Sequence, residues 1–139
     1  MSLSLFQSST IPILAQVVDF AQSRHEVLAG NIANYQTPGY RTRDLSVDVF
    51  RQNLKEAIET RDRQAGSLGA ASPSRVGDYQ PFAKVKDSLK GILYHDDSNV
   101  SLEHQVTELI KNQGMHNTAL TILRSQFRLL QVAISERVT

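Results

Sequence analysis

Hydrogen-bonding side chains are concentrated in one short stretch, Gly30–Asp44, which reads GNIANYQTPGYRTRD. Asn31 and Asn34 lie three residues apart, and Arg41 and Arg43 flank a threonine. Amides and guanidinium groups bind carbonyls and carboxylates well, but they offer neither a nucleophile nor an acid–base pair. The stretch is therefore expected to recognise something by hydrogen bonding, either as a substrate loop or as a joint in an assembly.

The four histidines are the other residues that could bind a ligand: His25, His95, His104 and His116. No two are three or four residues apart, so a metal site would have to gather them from separate segments. His25 and His116 fall near the middles of two long periodic segments and would meet if those segments paired antiparallel. The favoured interpretation is a polar position that sets register between helices at some cost in stability, or simple exposure to solvent. A metal site is the alternative.

Recognisable catalytic motifs are missing from the sequence. Asp96 and Asp97 are adjacent carboxylates without a partner motif, and a cluster at a helix N-terminus explains them better. There is no Gly-x-x-x-x-Gly-Lys phosphate loop, no Gly-x-Ser-x-Gly and no His-Glu-x-x-His. We therefore predict that the protein is not an enzyme and that it uses no cofactor and no metal.

Composition narrows the class of protein further. The 139 residues suffice for one ordinary domain, and 40% hydrophobic content with a net charge of +1 disfavours full disorder. Fifteen basic residues are offset by 14 acidic ones, and there is no Trp. The chain therefore has no excess of positive charge to attract phosphates and few aromatic side chains on which bases could stack. No nucleic-acid partner is expected.

The apolar runs are short and the chain has no cysteine. Disulfides and thiolate metal sites are thereby excluded, and no run is long enough to insert into a membrane. The N-terminal MSLSLFQSST lacks the basic and apolar regions of a secretory signal. A protein of this kind acting outside the cytoplasm is expected to leave by another route.

The first periodic segment predicts a helix from about Thr10 to about Asn34, with Thr10 as N-cap and Pro12 in the first turn. Its repeating positions alternate by three and four residues, as in a heptad seam. They are Ile11, Leu14, Val18, Ala21, His25, Leu28 and Ile32.

The last third predicts a second long helix, from about Ser101 to about Glu136 and roughly 50 Å long. Its seam is Leu102, Val106, Leu109, Gln113, His116, Leu120, Leu123, Phe127, Leu130 and Ile134. Gly114 leaves the centre of this helix without a side chain and lowers the stability of the helix by about 1 kcal/mol relative to alanine. Close approach of another backbone is the preferred explanation, and a hinge is the alternative.

Between the terminal helices we predict a shorter helix from about Ser46 to Arg63. Residues 64–98 are rich in Gly, Pro and Ser and are expected to form a loop or small irregular insert, with a short extended piece around Lys84–Leu93. The fold class is mainly α, with the terminal helices forming a coiled-coil-like pair. The chain is divided at 1–63, 64–98 and 99–139, and the two ends are expected to pack as one unit.

The stretch after the first helix predicts a rigid turn. Asn34 is expected to end the helix, and Thr37 is pushed out of the helical region by the following proline. Pro38 and Gly39 favour a type II turn in which Gly39 has positive φ. On these grounds alone an ordinary helix–turn–helix corner remains an equally good interpretation.

Two segments also resemble a known family. LAGNIANYQTPGYRTRD resembles the Asn-Ile-Ala-Asn…Thr-Pro-Gly-Tyr signature near the N-terminus of bacterial flagellar rod and hook proteins. SNVSLEHQVTELIKNQGMHNTALTILRSQFRLLQ is similar to the C-terminal helix of proximal rod members of that family. The resemblance covers roughly residues 10–50 and 98–135 and leaves the middle uncovered.

The resemblance implies a structural protein of the basal body, exported through the flagellar type III apparatus without a cleaved signal. Such proteins polymerise helically in the periplasmic rod, which links the membrane ring and export gate to the distal rod. The implied partners are copies of itself, other rod proteins, and ring and gate proteins at the rod base.

Two sets of residues follow from this resemblance. The joint, which would contact neighbouring subunits, comprises Asn31, Asn34, Thr37, Pro38, Gly39, Tyr40 and Arg41. The seam, which would form the tube wall, comprises Ile11, Leu14, Val18, Leu28, Ile32, Leu102, Val106, Leu109, Leu120, Leu123, Phe127, Leu130 and Ile134. The alternatives are a soluble helical adaptor or export chaperone, and an enzyme using the polar stretch as a substrate loop.

Overall fold

A computed structural model describes residues 9–66, 82–88, 92–94 and 101–135 of the chain. The elements in chain order are α1 Ile11–Ala33, β1 Arg43–Leu45, α2 Val47–Gly66, α3 Ala83–Ser88, β2 Ile92–Tyr94 and α4 Leu102–Ser135. The described part is mainly helical, as predicted, and its two long helices lie toward the ends of the chain. None of its helices combines the length and apolar character needed to cross a lipid bilayer.

The long helices α1 and α4 pack against each other in antiparallel fashion. Asn31, near the end of α1, pairs with Gln105 near the start of α4, whereas Ala21 pairs with Asn112. The buried residues of α4 are Gln105, Asn112 and Ala119, at intervals of seven. A seven-residue repeat of buried positions is typical of a coiled-coil-like contact.

The three predicted long segments are confirmed as helices, with ends that differ from the prediction by one to three residues. Pro12 lies in the first turn of α1 as expected. Thr10 occupies the N-cap position but makes no side-chain capping bond. Instead, the hydroxyl of Ser9 accepts a hydrogen bond from the Ile11 amide at 3.4 Å. Ser46 caps α2 by accepting a bond from the backbone amide of Val49.

The prediction of an extended piece around Lys84–Leu93 is wrong for its first half, which forms the helix α3. Val85 is buried while the four residues around it, 83, 84, 86 and 87, are exposed, a pattern that suits one helical turn better than an alternating strand. The second half reaches β2, which pairs antiparallel with β1 in the register Arg43 to Tyr94. His95, Asp96 and Asp97, and most of the predicted insert, lie outside the described residues.

An apolar core holds α2 and α3 beside α1. The rings of Phe20 and Phe50 stack with centroids 4.0 Å apart. The buried members of the core are Phe20, Leu45, Phe50, Ala57 and Val85. Full burial of a large apolar side chain contributes about 1.5–3 kcal/mol. This core fixes β1, and therefore the preceding polar stretch, against α1.

The two conformationally notable glycines both have open surroundings but differ in backbone conformation. At Gly114 an added Cβ would meet nothing within 4 Å, so the predicted close approach of another backbone is wrong for this chain by itself. Gly114 is exposed in the interior of α4. Gly39 has φ of 75°, in the left-handed region that disfavours residues with a Cβ.

We therefore predict that Gly114→Ala raises the free energy of unfolding by about 1 kcal/mol, because alanine costs less than glycine inside a helix. Gly39→Ala should lower it by about 1 kcal/mol through the left-handed backbone. Urea titration of the two variants and the parent protein measures both changes. Destabilisation by Gly114→Ala would contradict the open environment of that residue.

Candidate functional site

The predicted turn is present between Thr37 and Tyr40. The Tyr40 amide donates to the Thr37 carbonyl at 3.2 Å, with Pro38 and Gly39 at the two central positions. The positive φ predicted for Gly39 is confirmed. Thr37, Pro38 and Gly39 are all exposed. The tip of the joint is therefore a rigid turn presented to solvent.

Asn34 ends α1, as predicted, through hydrogen bonds to the backbone. Its φ of −102° is not left-handed. Its side-chain Nδ2 donates to the Gly30 carbonyl at 2.9 Å, and its backbone amide donates to the same oxygen. The Gly30 carbonyl in the last turn therefore accepts two hydrogen bonds from one residue.

Asn31 is the residue on which the joint is built. Its side chain is completely buried, with 0% exposure. The Oδ1 atom accepts from the Tyr40 hydroxyl at 3.2 Å and from the Arg43 amide at 3.0 Å. The Nδ2 atom donates to the Arg43 carbonyl and to Gln105 Oε1. One amide thus joins α1, the turn, the edge of β1 and α4, and it positions the exposed turn from within.

A buried arginine forms a second connection, which the sequence analysis missed. Arg24 is 6% exposed. Its guanidinium donates to both carboxylate oxygens of Asp44, at 2.8 and 2.6 Å, and to Glu108 Oε2 at 2.9 Å. We call Arg24, Asp44 and Glu108 the Arg24 ion cluster. It connects α1 to β1 and α4. The sequence indicates this role only through the spacing of Arg24, which lies seven residues before Asn31 and so on the same side of α1.

The charges of the ion cluster stabilise one another. Pairing with Asp44 raises the pKa of Arg24 above its ordinary value, against the opposing effect of burial. The pKa of Glu108 is lowered, first by the hydrogen bond from Lys111 at 2.9 Å and next by that from Arg24. The bidentate geometry toward Asp44 is specific to a guanidinium, because lysine is a point charge without a planar fork.

A groove runs beside the contact between α1 and α4. It has a volume of about 360 Å³ and is lined mainly by Gln22, His25, Glu26, Asn112, Gln113 and His116. His25 and His116 therefore line one groove, as an antiparallel pair requires. No group of three or more His, Asp or Glu side chains within the described ranges is placed to hold a metal ion.

The predicted seam residues are divided between contact and solvent. Leu28 is buried, and Ile11, Leu14, Val18, Ile32, Leu109, Leu120 and Leu123 are half-buried. The exposed members are Leu102, Val106, Phe127, Leu130 and Ile134. In α4 the contact with α1 follows Gln105, Asn112 and Ala119, which lie one residue before the predicted seam positions Val106, Gln113 and Leu120. The seam in α4 therefore lies beside the intramolecular contact, mostly on its flank.

The two helices also differ in length. Asn31 lies opposite Gln105 and Ala21 opposite Asn112. At an equal rise per residue, Ile11 then lies opposite about residue 123. Residues 125–135, here called the α4 extension, continue beyond the first residue of α1.

Removing the Arg24 guanidinium should be costly. We expect Arg24→Met to lower the free energy of unfolding by about 3 kcal/mol, the low end of the range for breaking a buried ion pair, since both carboxylates keep some contact with water. Lys84→Met, which removes the exposed pair with Glu56 at 3.0 Å, should change it by under about 1 kcal/mol. Equal losses in the two variants would show that the ion cluster adds little.

Glu108 should make stability depend on acidity. Its pKa is lowered from 4.5 in the folded chain, so its ionised form contributes stability that is complete above about pH 4.5 and is lost as the pH falls through the folded value. We expect Glu108→Gln to be less stable than the parent protein at pH 7, with a difference that narrows below pH 4.5. Urea titrations at a series of pH values measure this, with Glu56→Gln as the exposed control. A difference that stayed constant down to low pH would rule out the linkage.

Comparison with known proteins identifies relatives along nearly the whole chain. The flagellar basal body rod protein FlgB of Aquifex aeolicus is 27% identical, covering 91% of this chain and 94% of that protein. FlgB of Salmonella typhimurium is 28% identical over 88% of this chain and 86% of its own. FlgB of Borrelia hermsii is 25% identical over 95% and 99%.

No family model matches the chain, and no solved structure matches it. The relatives nonetheless come from diverse bacteria and align from one end of their sequences almost to the other. The chain is thus similar to the FlgB flagellar basal-body rod proteins along nearly its whole length, and this similarity supports its identification as a rod protein of that kind.

Proposed function

We propose that this chain is a structural component of the flagellar basal-body rod, which assembles helically with copies of itself in the proximal rod. Its relatives carry the name of a rod protein. The observation that carries the proposal further is the α4 extension, whose apolar side chains are largely exposed. Phe127 is 49%, Leu129 61% and Ile134 68% exposed.

An exposed apolar surface of this length requires a partner. The full set in the second half of α4 is Ile122, Phe127, Leu129, Leu130, Val132 and Ile134. Contiguous apolar patches on soluble proteins commonly mark interaction sites. Burying each of these side chains would contribute about 1.5–3 kcal/mol, so a contact covering several of them is strong enough to drive association.

The arrangement of surfaces favours a polymer over a closed pair. The exposed turn at Pro38 and Gly39 lies at the end of α1, whereas the α4 extension continues past the beginning of α1. The two surfaces are therefore at opposite ends of the antiparallel pair and differ in chemistry. A contact between different surfaces of neighbouring copies repeats and builds a helical array.

In this proposal the joint and the seam have separate tasks. The turn, held by Asn31 and the Arg24 ion cluster, presents Thr37, Pro38 and Gly39 to a neighbouring subunit. The exposed seam residues of α4 pack against helices of adjacent copies and form the wall of a tube. Asn31 and Asn34 act inside the subunit, where they fix the turn.

The partners and location follow from the same assignment. We propose contacts with copies of the chain, with other rod proteins, and with the membrane-ring and export-gate proteins at the rod base. The rod lies in the periplasm, and the chain would reach it through the flagellar export apparatus without a cleaved signal. Neither nucleic acid nor the bilayer is proposed as a partner, and the structural role leaves no catalytic step to explain.

A soluble helical adaptor or export chaperone is the less favoured alternative. Such a protein would also expose an apolar helix face, so exposure alone does not separate the two roles. The relatives are rod proteins along nearly their whole length, which favours the rod. Quantitative mass spectrometry of purified basal bodies against the soluble fraction separates them, because an adaptor would remain soluble.

Charging the α4 extension should prevent assembly without unfolding the subunit. We expect Leu129→Asp with Ile134→Asp to remove the chain from basal bodies and abolish swimming, because both side chains are exposed in the subunit and would be buried in the rod. Complementation of a deletion strain, with copy number in purified basal bodies as readout, measures this. Val49→Asp, on the exposed side of α2, is the matched control and should assemble. Normal incorporation of the double variant would refute a role for this surface.

A further inference from the structure

The solvent-facing side of α1 carries acids that have no partner. Asp19 and Glu26 are exposed, and neither forms an ion pair or hydrogen bond within the described residues. They lie seven residues apart, which places them on one side of the helix, two turns from each other. The arginine of α1 is occupied in the ion cluster. The free charge of this face is therefore negative, and Glu26 lines the groove beside α4.

The same groove contains a buried acceptor without a donor. Asn112 is 2% exposed. Its Nδ2 donates to the Ala21 carbonyl at 2.7 Å, which fixes the orientation of the amide. The Oδ1 atom is buried and accepts no hydrogen bond from any described residue. A buried acceptor left unpaired lowers stability, so a donor entering the groove would find two acceptors, Glu26 and Asn112.

The second half of α4 carries the complementary charge. Between Asn117 and Ser135 the charged residues are Arg124 and Arg128, both of them basic. They are exposed, and no ion pair or hydrogen bond joins them to a described residue. Their spacing of four places them on one face of the helix. That face is opposite the stripe through Gln105, Asn112 and Ala119, so it points away from α1 of the same copy.

We propose that Arg124 and Arg128 of one copy dock on the acidic face of α1 in a second copy, where a guanidinium enters the groove and binds Glu26 and Asn112 Oδ1. A guanidinium has five N–H donors in a planar fork and can serve both acceptors at once. The groove volume of about 360 Å³ accommodates such a group.

The contact has to be between copies. Glu26 lies opposite about residue 109 of its own α4, and Arg124 is about 22 Å further along that helix. No arginine side chain bridges that distance. The contact therefore joins the α4 half of one copy to the α1 face of the next and repeats from copy to copy. It rests on the proposed function, since it names the residues through which the rod subunits would associate.

Charge exchange tests this contact. Glu26→Arg, and separately Arg124→Glu with Arg128→Glu, should each reduce the number of copies per basal body about tenfold or more, because like charges then face each other. Combining all three substitutions should restore most of the incorporation, since the charges are exchanged and not removed, although a carboxylate cannot donate to Asn112 Oδ1. Glu59→Arg, an exposed change on α2 whose ion pair with Lys55 is long at 3.9 Å, should leave incorporation unchanged.

Directed cross-linking gives an independent readout, because the chain has no cysteine. A short bis-maleimide is preferable to a disulfide, since an arginine–carboxylate pair holds two backbones further apart than a disulfide allows. Basal bodies containing Glu26→Cys with Arg128→Cys should give dimers and higher oligomers of this chain. Glu59→Cys with Arg128→Cys should remain monomeric.

The possible outcomes distinguish failure of the proposed contact from failure of the proposed rod function. Wild-type incorporation together with normal incorporation of both charge-reversed variants would overturn the contact and leave the rod assignment intact. Cross-links only to a different rod protein would overturn the second copy as occupant of the groove. Absence of the wild-type chain from basal bodies would overturn both. Rescue by the triple substitution, with the cross-linked oligomers, is the expected result.

Discussion

The guanidinium of Arg24 is the interaction on which the rest of the structure depends. It binds Asp44 in bidentate fashion and Glu108 through the same Nη2 atom. Three segments that are distant in the sequence are thereby held in one arrangement. Apolar stripes on two helices tolerate sliding, because the hydrophobic effect is non-directional, whereas a buried charge left without its partner is strongly destabilising. The ion cluster, together with Asn31, therefore selects one register of α1 against α4.

The chosen register has consequences at both ends of the helix pair. At one end, hydrogen bonds between the Asn31 side chain and the backbone of Arg43 hold β1 and the turn against α1. The turn is therefore rigid although its tip is exposed. At the other end α4 continues past α1, with apolar side chains in solvent. Polar side chains thus order the contact between α1 and α4, beside the apolar core around Phe20 and Phe50, and apolar side chains of α4 remain in solvent. A subunit with this much exposed apolar surface suits the proposed assembly with neighbouring copies.

The sequence predicted the elements well and the contacts between them poorly. The long helices were predictable because α1 and α4 repeat apolar residues over many turns, and the turn was predictable because Pro38 and Gly39 restrict φ. The stripe by which α4 contacts α1 was not, because apolar residues surround α4 on several sides and no face is distinguished. The Arg24 ion cluster was missed because an arginine in a helix is ordinarily exposed. Its partners lie 20 and 84 residues away. Gly114 was interpreted as a packing position, yet its surroundings are open in the subunit.

In the proposed rod, the exposed apolar surface of α4 would also couple the stability of the subunit to its assembly. α4 has 34 residues and α1 has 23. The part of α4 that continues past α1 therefore gains no stability from packing against α1. Isolated helical segments are marginal in water, so that part gains most from a neighbour. Any partner that binds only the folded form raises its apparent stability by mass action. The internal ion cluster and the apolar core then stabilise a single subunit, and in the proposed rod the contacts along α4 would add the remainder. The residues that order the subunit and those proposed to join it to the next copy overlap at Asn112 and are otherwise different, so most substitutions in one set can be made without destroying the other.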